Sequence, residues 1–389
     1  MKDQRITAIE CIPVSIPYTH REVSAQVRRD GVTDIIVKVT TNDGLIGWGE
    51  SCSGADVVSV EAALHAMQPF VVGRSPWESE AVRAELWLRG IWQFRKPTAS
   101  FAYAGIDMAL WDICGKMTDQ PLYNLLGGKM RSQVDYFCYL AQGDAADLRT
   151  QCTVGVGKGY TVFYLKVGID IDAEVEMVKI IRKTIGPNRK IRIDANGAWT
   201  VKEALRNIAR LDVHNIDFIE QPVAQDPIAN MQEVRARAGV GIAANEGMWS
   251  VEDAYRNIRS RVADVFCFSP YWVGSLLQCQ RLAHAAHFEG LQVCKHTHGE
   301  LGIAAAAGQH LCLTLPNATD GIQQTAQVMA DDILTERLPI ADGPAWGLPD
   351  RPGLGVEVDL GKLEQYHQQY REHGQIMPYD RTLIGTEQD

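Results

Sequence analysis

VFYLKV (162–167), KIRIDAN (190–196), IDFIEQP (216–222), GIAANE (241–246), DVFCFS (264–269) and LQVCKH (291–296) are short apolar runs, each reaching a polar or charged residue. VDYFCYL (134–140) precedes them, and a weak eighth run surrounds Thr319 to Gln324. Helical patterns separate them, among them AEVEMVKIIRKTIG (173–186), VKEALRNIARL (201–211) and VEDAYRNIRSRV (251–262). Strand–helix alternation at this spacing indicates a parallel sheet. Seven or eight such units in about 190 residues suit a closed (β/α) barrel, with an open doubly wound sheet as the alternative.

The first ~125 residues read differently, as α+β. IIVKVT (35–40), the turn Asn42-Asp43-Gly44 and Leu45 to Trp48 form a hairpin pattern. Helical stretches follow near 57–71, 77–91 and 98–117, the last apolar on more than one face. Gly127-Gly128 breaks the chain there. Beyond residue 338, Pro and Gly punctuation (DGPAWGLPDRPGLG) leads to a charged helix near 360–373, expected to return to the N-terminal part. The expected division is 1–128, 129–337 and 338–389.

The 389 residues are 46% hydrophobic and 22% charged, which are globular values. A net charge of −10 disfavours nucleic acid and anionic membrane as partners. No apolar run is long enough to span a bilayer, and the N-terminus has no signal-like apolar core, so the cytoplasm is the expected compartment. Nine cysteines with no C-x-x-C pair read as buried thiols, without a disulfide framework or zinc site.

The strand-end residues are Lys166, Asp194, Glu220, Glu246, Ser269 and His296, separated by 28, 26, 26, 23 and 27 residues. Each step is about one strand-plus-helix unit, so all six are expected on the barrel's C-terminal rim, where such folds build their sites. A single acid after a strand is often a turn former or helix cap. Three acids in regular succession, Asp194, Glu220 and Glu246, need a counter-charge. Oxygen ligands alone favour a hard cation, Mg²⁺ above all. A rim lysine is commonly just a solvated charge. Beside a dication its pKa should fall, making Lys166 a general base. Together these groups suit removal of the proton α to a carboxylate through an enediolate.

At these residues the chain resembles the enolase superfamily, in its mandelate racemase/muconate lactonizing enzyme type, over nearly its whole length. GLIGWGES, IDMALWDICGK, PLYNLLGG, LKVG, DANGAW, IEQPV, GIAANE and DRPGLGVEVD carry the resemblance. It implies an α/β fold: a (β/α)7β-type TIM barrel with an α+β capping domain built from the N-terminus and the C-terminal tail. It also implies Asp194, Glu220 and Glu246 as ligands of one Mg²⁺ (Mn²⁺ being a chemical substitute), Lys166 as the α-proton base and His296 as the strand-seven histidine. Asn196 and Gln221 fall beside the metal ligands. A small carboxylate substrate and a homo-oligomer are implied as partners.

The chain departs from that pattern in places. Tyr164 replaces the first lysine of the Lys-x-Lys pair, and Ser269 stands where many members carry Asp or Lys. His296 thereby loses a charged orienting partner. This asymmetry favours dehydration of a hydroxy acid, such as an acid sugar, over racemisation or epimerisation. A non-catalytic ligand-binding barrel is the alternative of another class.

KHTHGE (295–300) adds Lys295, His298 and Glu300 as substrate or supporting groups, against a reading of His298 as a cap and Glu300 in the first turn of a helix. In the cap, Arg28 is the candidate substrate contact among Arg21, Arg28 and Arg29. SCSGADVV (51–58) and Trp92 with Phe94 are candidate walls, and Gly155, Gly157 and Gly159 read as a flexible loop.

Overall fold

A computed structural model describes residues 4–52, 56–90 and 92–377. Ser53, Gly54 and Ala55 of the second cap loop lie outside the described residues. Seven parallel strands form one sheet in the order of the chain: Cys138–Leu140, Val162–Lys166, Lys190–Asp194, Phe218–Glu220, Gly241–Ala244, Val265–Phe268 and Gln292–Lys295. Helices join successive strands and cover the outside, as a right-handed parallel sheet requires.

The weak eighth run forms no strand among the described residues, yet it closes the barrel. Asn317 O accepts from Val293 N–H, and Thr319 and Gln323 donate to Val293 and Lys295 O. On the other edge Ile322 bonds both Asp135 and Phe137. Gly321 explains the irregularity. Its φ is +63°, and a Cβ there would meet Val162 side-chain atoms at 2.5–2.9 Å. The glycine-rich stretch is a second departure. Gly155 and Gly157 belong to the Ala145–Gly157 helix, where Gly155 lets the helix lie against Phe163 and Cys138. Close packing, not flexibility, accounts for that glycine. All nine cysteines are free, and all but Cys11 are buried.

The cap is a three-stranded antiparallel sheet, Ile6–Val23, Arg28–Thr41 and Ile46–Ser51, backed by the Val57–Val71, Ser79–Arg89 and Thr98–Thr118 helices. Thr98–Thr118 is buried along most of its length, consistent with its apolar character on several faces. Gly49 and Gly105 permit close approach of sheet and helix, because a Cβ on Gly49 would overlap the Gly105 carbonyl. The C-terminal Leu360–His373 helix returns to pack on the first cap strand.

Buried cap carboxylates fasten the cap to the barrel. Glu50 accepts backbone N–H groups of Leu301 and Ala304 at 2.7 and 2.8 Å, capping the Gly302–Thr314 helix from outside its own segment. Asp107 accepts the Leu276 N–H at 2.8 Å at the start of the Leu276–Phe288 helix. Helix N-termini carry unpaired donors and partial positive charge, so each acid satisfies groups the helix cannot.

Burial raises the Asp107 carboxyl to about 7, against hydrogen bonds from Ser79 and Leu276 that favour the charge. The folded chain therefore keeps a proton that the unfolded chain, with an ordinary value of ~3.9, gives up. This contribution to stability is complete below about pH 4 and is lost as pH rises through about 7. Thermal melts should give a Tm that falls between pH 5 and 8, with Asp107→Asn removing part of the slope. An identical slope in the variant would contradict the assignment.

Candidate active site

Backbone register brings the rim residues together. Lys166 pairs with Asp194 across two strands, and Asp194 pairs with Glu220 across the next. Lys166 Nζ and the Tyr164 hydroxyl both donate to Asp194 Oδ2, at 2.6 and 2.7 Å. Asp194 Oδ1 accepts from Asn196 N–H at 2.8 Å. Tyr164, in place of a lysine, thus delivers a neutral donor to the same carboxylate, and its ring stacks on Phe137 at 4.4 Å.

Glu220 Oε2 accepts from Gln323 Nε2 at 2.7 Å, and Glu246 Oε1 accepts from Asn196 Nδ2 at 2.9 Å. Gln221 braces the neighbouring loop, accepting from Asn245 N–H and donating to Val223 O. Asn196 and Gln221 have φ of +45° and +38°. Such backbone costs of order 1–3 kcal/mol at a non-glycine residue and is held by its surroundings. Here it turns the chain sharply just past two acids.

Three oxygens around this cluster lack partners: Glu220 Oε1, Glu246 Oε2 and Asn196 Oδ1 are buried without a hydrogen bond among the described residues. An orphaned buried acceptor costs roughly 1–3 kcal/mol, more when charged. Burial, then Asp194, raises the Glu220 carboxyl well above its usual range, and the same causes raise Glu246 to about 7. Repelling carboxylates with unused oxygens are what a hard dication would satisfy, so this donor set fits Mg²⁺.

The ligand oxygens of Asp194, Glu220 and Glu246 do not all lie within 4.8 Å of one another. Among the described residues the trio with potential ligand atoms all within 4.8 Å is Asp34, Glu50 and Cys52. There, however, both Glu50 oxygens are taken by helix N–H groups.

Lys166 departs from its expected pKa. Burial pulls it down, but Asp194, Glu22 and Glu220 outweigh that and hold it above the ordinary lysine value. The sequence expectation of a lowered value includes a dication's charge, which would offset these carboxylates.

Lys166, Asn196, Glu246, His296 and His298 all line one cavity of about 340 Å³. The rings of the two histidines are 5.5 Å apart, and Trp272 lies 4.1 Å from His296. Burial, with the His298, Lys166, Lys295 and Arg29 charges, keeps His296 well below its usual pKa, and its Nδ1 is unpartnered. Ser269 does not orient it. Its Oγ accepts from Trp272 N–H and caps the short Pro270–Val273 turn.

Several sequence expectations are corrected. Lys295 points out of the barrel, where Gly308 leaves room for its stem and Glu300 pairs with its ammonium. Strand alternation requires this once His296 faces inward. Glu300 is therefore that lysine's counter-ion, and it precedes the Gly302–Thr314 helix rather than lying in its first turn. Arg28 is exposed, whereas Arg29 is buried and lines the cavity. Trp92 is 85% exposed and Phe94 packs on Phe70, so neither forms a wall. The aromatic wall is Phe101, Trp249 and Trp272. Trp249 and Trp272 each stand three residues beyond a rim residue, Glu246 and Ser269, a spacing that could have signalled them. Gln323, which the eighth run offers where no glutamate stands, is the donor to Glu220.

A barrel with acids and a lysine at its rim, covered by an α+β cap, defines a class of protein. The profile described as "Enolase C-terminal domain-like" matches residues 147–362. That described as "Mandelate racemase / muconate lactonizing enzyme, N-terminal domain" matches residues 16–127. The chain belongs to the enolase superfamily, mandelate racemase/muconate lactonizing enzyme type.

It is 28% identical to the N-succinyl-L-Arg/Lys racemase of Bacillus cereus, over 93% of this chain and 97% of that one. It is 29% identical to the arabinonate dehydratase of Saccharolobus solfataricus, over 85% and 90%. The muconate lactonizing enzyme of Pseudomonas fluorescens, solved with muconolactone, superposes with TM-score 0.85 at 28% identity, over 93% and 99%. Dehydratases, cycloisomerases and racemases therefore all occur among the relatives. No described helix is long and apolar enough to cross a membrane.

The donor set gives a direct expectation. Saturating Mg²⁺ should raise Tm, since a ligand at 100 times its Kd stabilises by about 2.7 kcal/mol. Glu220→Gln and Glu246→Gln should each remove most of that rise. An equal rise in both variants would place the ion elsewhere.

Proposed function

We propose that this protein is a Mg²⁺-dependent dehydratase of a hydroxy acid, an acid sugar or a close analogue. In this reading Asp194, Glu220 and Glu246 hold the ion, for which Mn²⁺ can substitute, and Lys166 takes the α-proton. When bound, the dication offsets the carboxylate charge around Lys166 and stabilises the negative charge that develops on the substrate carboxylate.

Lys166 Nζ lies on one side of the cavity and would accept the proton as the α C–H bond breaks. The electron pair released would expel the β-hydroxyl, and Lys166 would return its proton to that oxygen as water leaves. Where the α-carbon also carries a hydroxyl, as in an acid sugar, the product is an enol that tautomerises to a 2-keto acid. Asn196 and Gln323 fix the carboxylates, and the aromatic wall excludes water from the reacting carbon.

The observation supporting elimination over inversion is the asymmetry of the two faces. Lys166 is a buried amine among carboxylates that support its protonated form, whereas burial and neighbouring cations disfavour a protonated His296 and Ser269, engaged as a helix cap, offers it no charged partner, so His296 is poorly placed to give a proton back. A racemase needs a competent proton handler on each face. The superfamily's racemases, one of them among the relatives above, keep the isomerase reading as the alternative outcome of the test.

Candidate hydroxy acids incubated with Mg²⁺ in D₂O and followed by NMR should yield a 2-keto acid. An epimer carrying deuterium at the α-carbon would establish the isomerase instead. Lys166→Ala should lower turnover roughly 10²–10⁴-fold, the usual contribution of a general base; undiminished turnover would remove that assignment. Ser269→Asp should shift the product mixture toward the inverted acid. An unchanged mixture would count against the asymmetry argument.

A further inference from the structure

The cap-side wall of the cavity takes no part in the steps above. Glu22 and Arg29 are cross-strand partners on the first two cap strands. Arg29 Nε donates to Glu22 Oε2 at 2.6 Å, and both residues are buried. The Tyr139 hydroxyl lies 3.4 Å from the other Glu22 oxygen. The acceptors of Glu22 are thus occupied, and Arg29 spends its charge on that carboxylate.

Donors remain. The two terminal nitrogens of Arg29 make no hydrogen bond among the described residues, while the guanidinium lies 5.6 Å from the Tyr18 ring centre. Ser24 Oγ accepts from the Gln26 and Val27 N–H groups, so its own hydrogen needs an acceptor that none of the described residues supplies. Trp272 Nε1–H donates to His298 Nδ1 at 3.3 Å, which places the ring proton on Nε2. That nitrogen is buried with the Cys52 backbone beside it, so the donors this wall leaves free are those of Arg29 and Ser24. Arg29, Ser24 and His298 all line the cavity.

This wall has more donors than acceptors, and its formal charge is zero. A carboxylate brought there would lose its water and face Glu22, while the nearest cations, Arg29 and Lys166, are already paired with Glu22 and Asp194. A hydroxyl or carbonyl oxygen would satisfy the donors without that repulsion. The adjoining aromatic residues Phe101, Trp249 and Trp272 would receive the C–H face of the same group.

We infer that the cap-side wall of the cavity is a subsite for an uncharged, oxygen-bearing group, so that the substrate is a hydroxylated monocarboxylate rather than a dicarboxylate. This deepens the reading of the reaction given above and rests on it for the position of the first carboxylate.

Calorimetric titration of the Lys166→Ala protein with Mg²⁺ reads binding without turnover. The probes are pentonates and hexonates, each beside the aldarate of the same configuration. At least one aldonate should bind ten-fold or more tightly than its aldarate. Adding Glu22→Gln frees the Arg29 charge and should shift that ratio at least ten-fold toward the aldarate. An aldarate bound as tightly as its aldonate, no binding by any aldonate, or an unchanged ratio in a folded Glu22→Gln protein would each overturn the inference. If Glu22→Gln fails to fold, the parent ratio decides alone. Aldonate preference in binding with no turnover of aldonates by the Lys166 protein would remove the reaction and leave the subsite. Turnover of an aldarate would do the reverse.

Discussion

Three carboxylates in one buried barrel mouth are an electrostatic liability, and much of the structure answers it. Asp194 and Glu220 are directly paired in the sheet, so neither can retreat without breaking strand register. Lys166, fixed opposite Asp194 by the same ladder, supplies one positive charge. Tyr164, Asn196 and Gln323 supply neutral donors from three further directions. These donors leave one oxygen on each glutamate unsatisfied. The remaining deficit has the sign and hardness of a divalent cation.

The cap makes that deficit count. A carboxylate cluster open to water would be screened and nearly free of penalty. Here the Thr98–Thr118 helix and the cap strands cover the rim, and cap acids anchor on the N-termini of barrel helices rather than on side chains. Gly299 belongs to the same closure. A Cβ there would meet Val32 and Tyr18 of the cap, so only glycine lets the strand-seven exit lie against the cap sheet. Burial then raises the carboxyls, keeps both histidines neutral and strengthens every interaction in the cavity.

The rim was legible in the sequence because one strand plus one helix has nearly constant length, so spacing alone aligns Lys166, Asp194, Glu220, Glu246, Ser269 and His296. The cap wall was less so, for a local reason. Neighbouring residues on a strand face opposite ways, so choosing Arg29 over Arg28, or seeing that Lys295 turns away when His296 turns in, requires knowing which face is covered. The Glu22–Arg29 pairing follows a register irregularity between Pro17 and Glu22 that no periodicity announces. The eighth run was weak because closure there is made by scattered backbone bonds around Gly321 rather than by a strand. Glu50 as a helix cap lies 251 residues from the N–H it accepts, beyond the reach of any local motif.

The account depends on one cation bound by the rim acids. Mn²⁺ is a spectroscopic stand-in for Mg²⁺, and its electron paramagnetic resonance signal changes when it leaves water for a protein site. Titration of the metal-stripped protein should reveal one Mn²⁺ bound per chain, displaced by excess Mg²⁺, and lost in Asp194→Asn with the fold intact. No bound Mn²⁺, or stoichiometric binding unchanged by Asp194→Asn, would contradict the account.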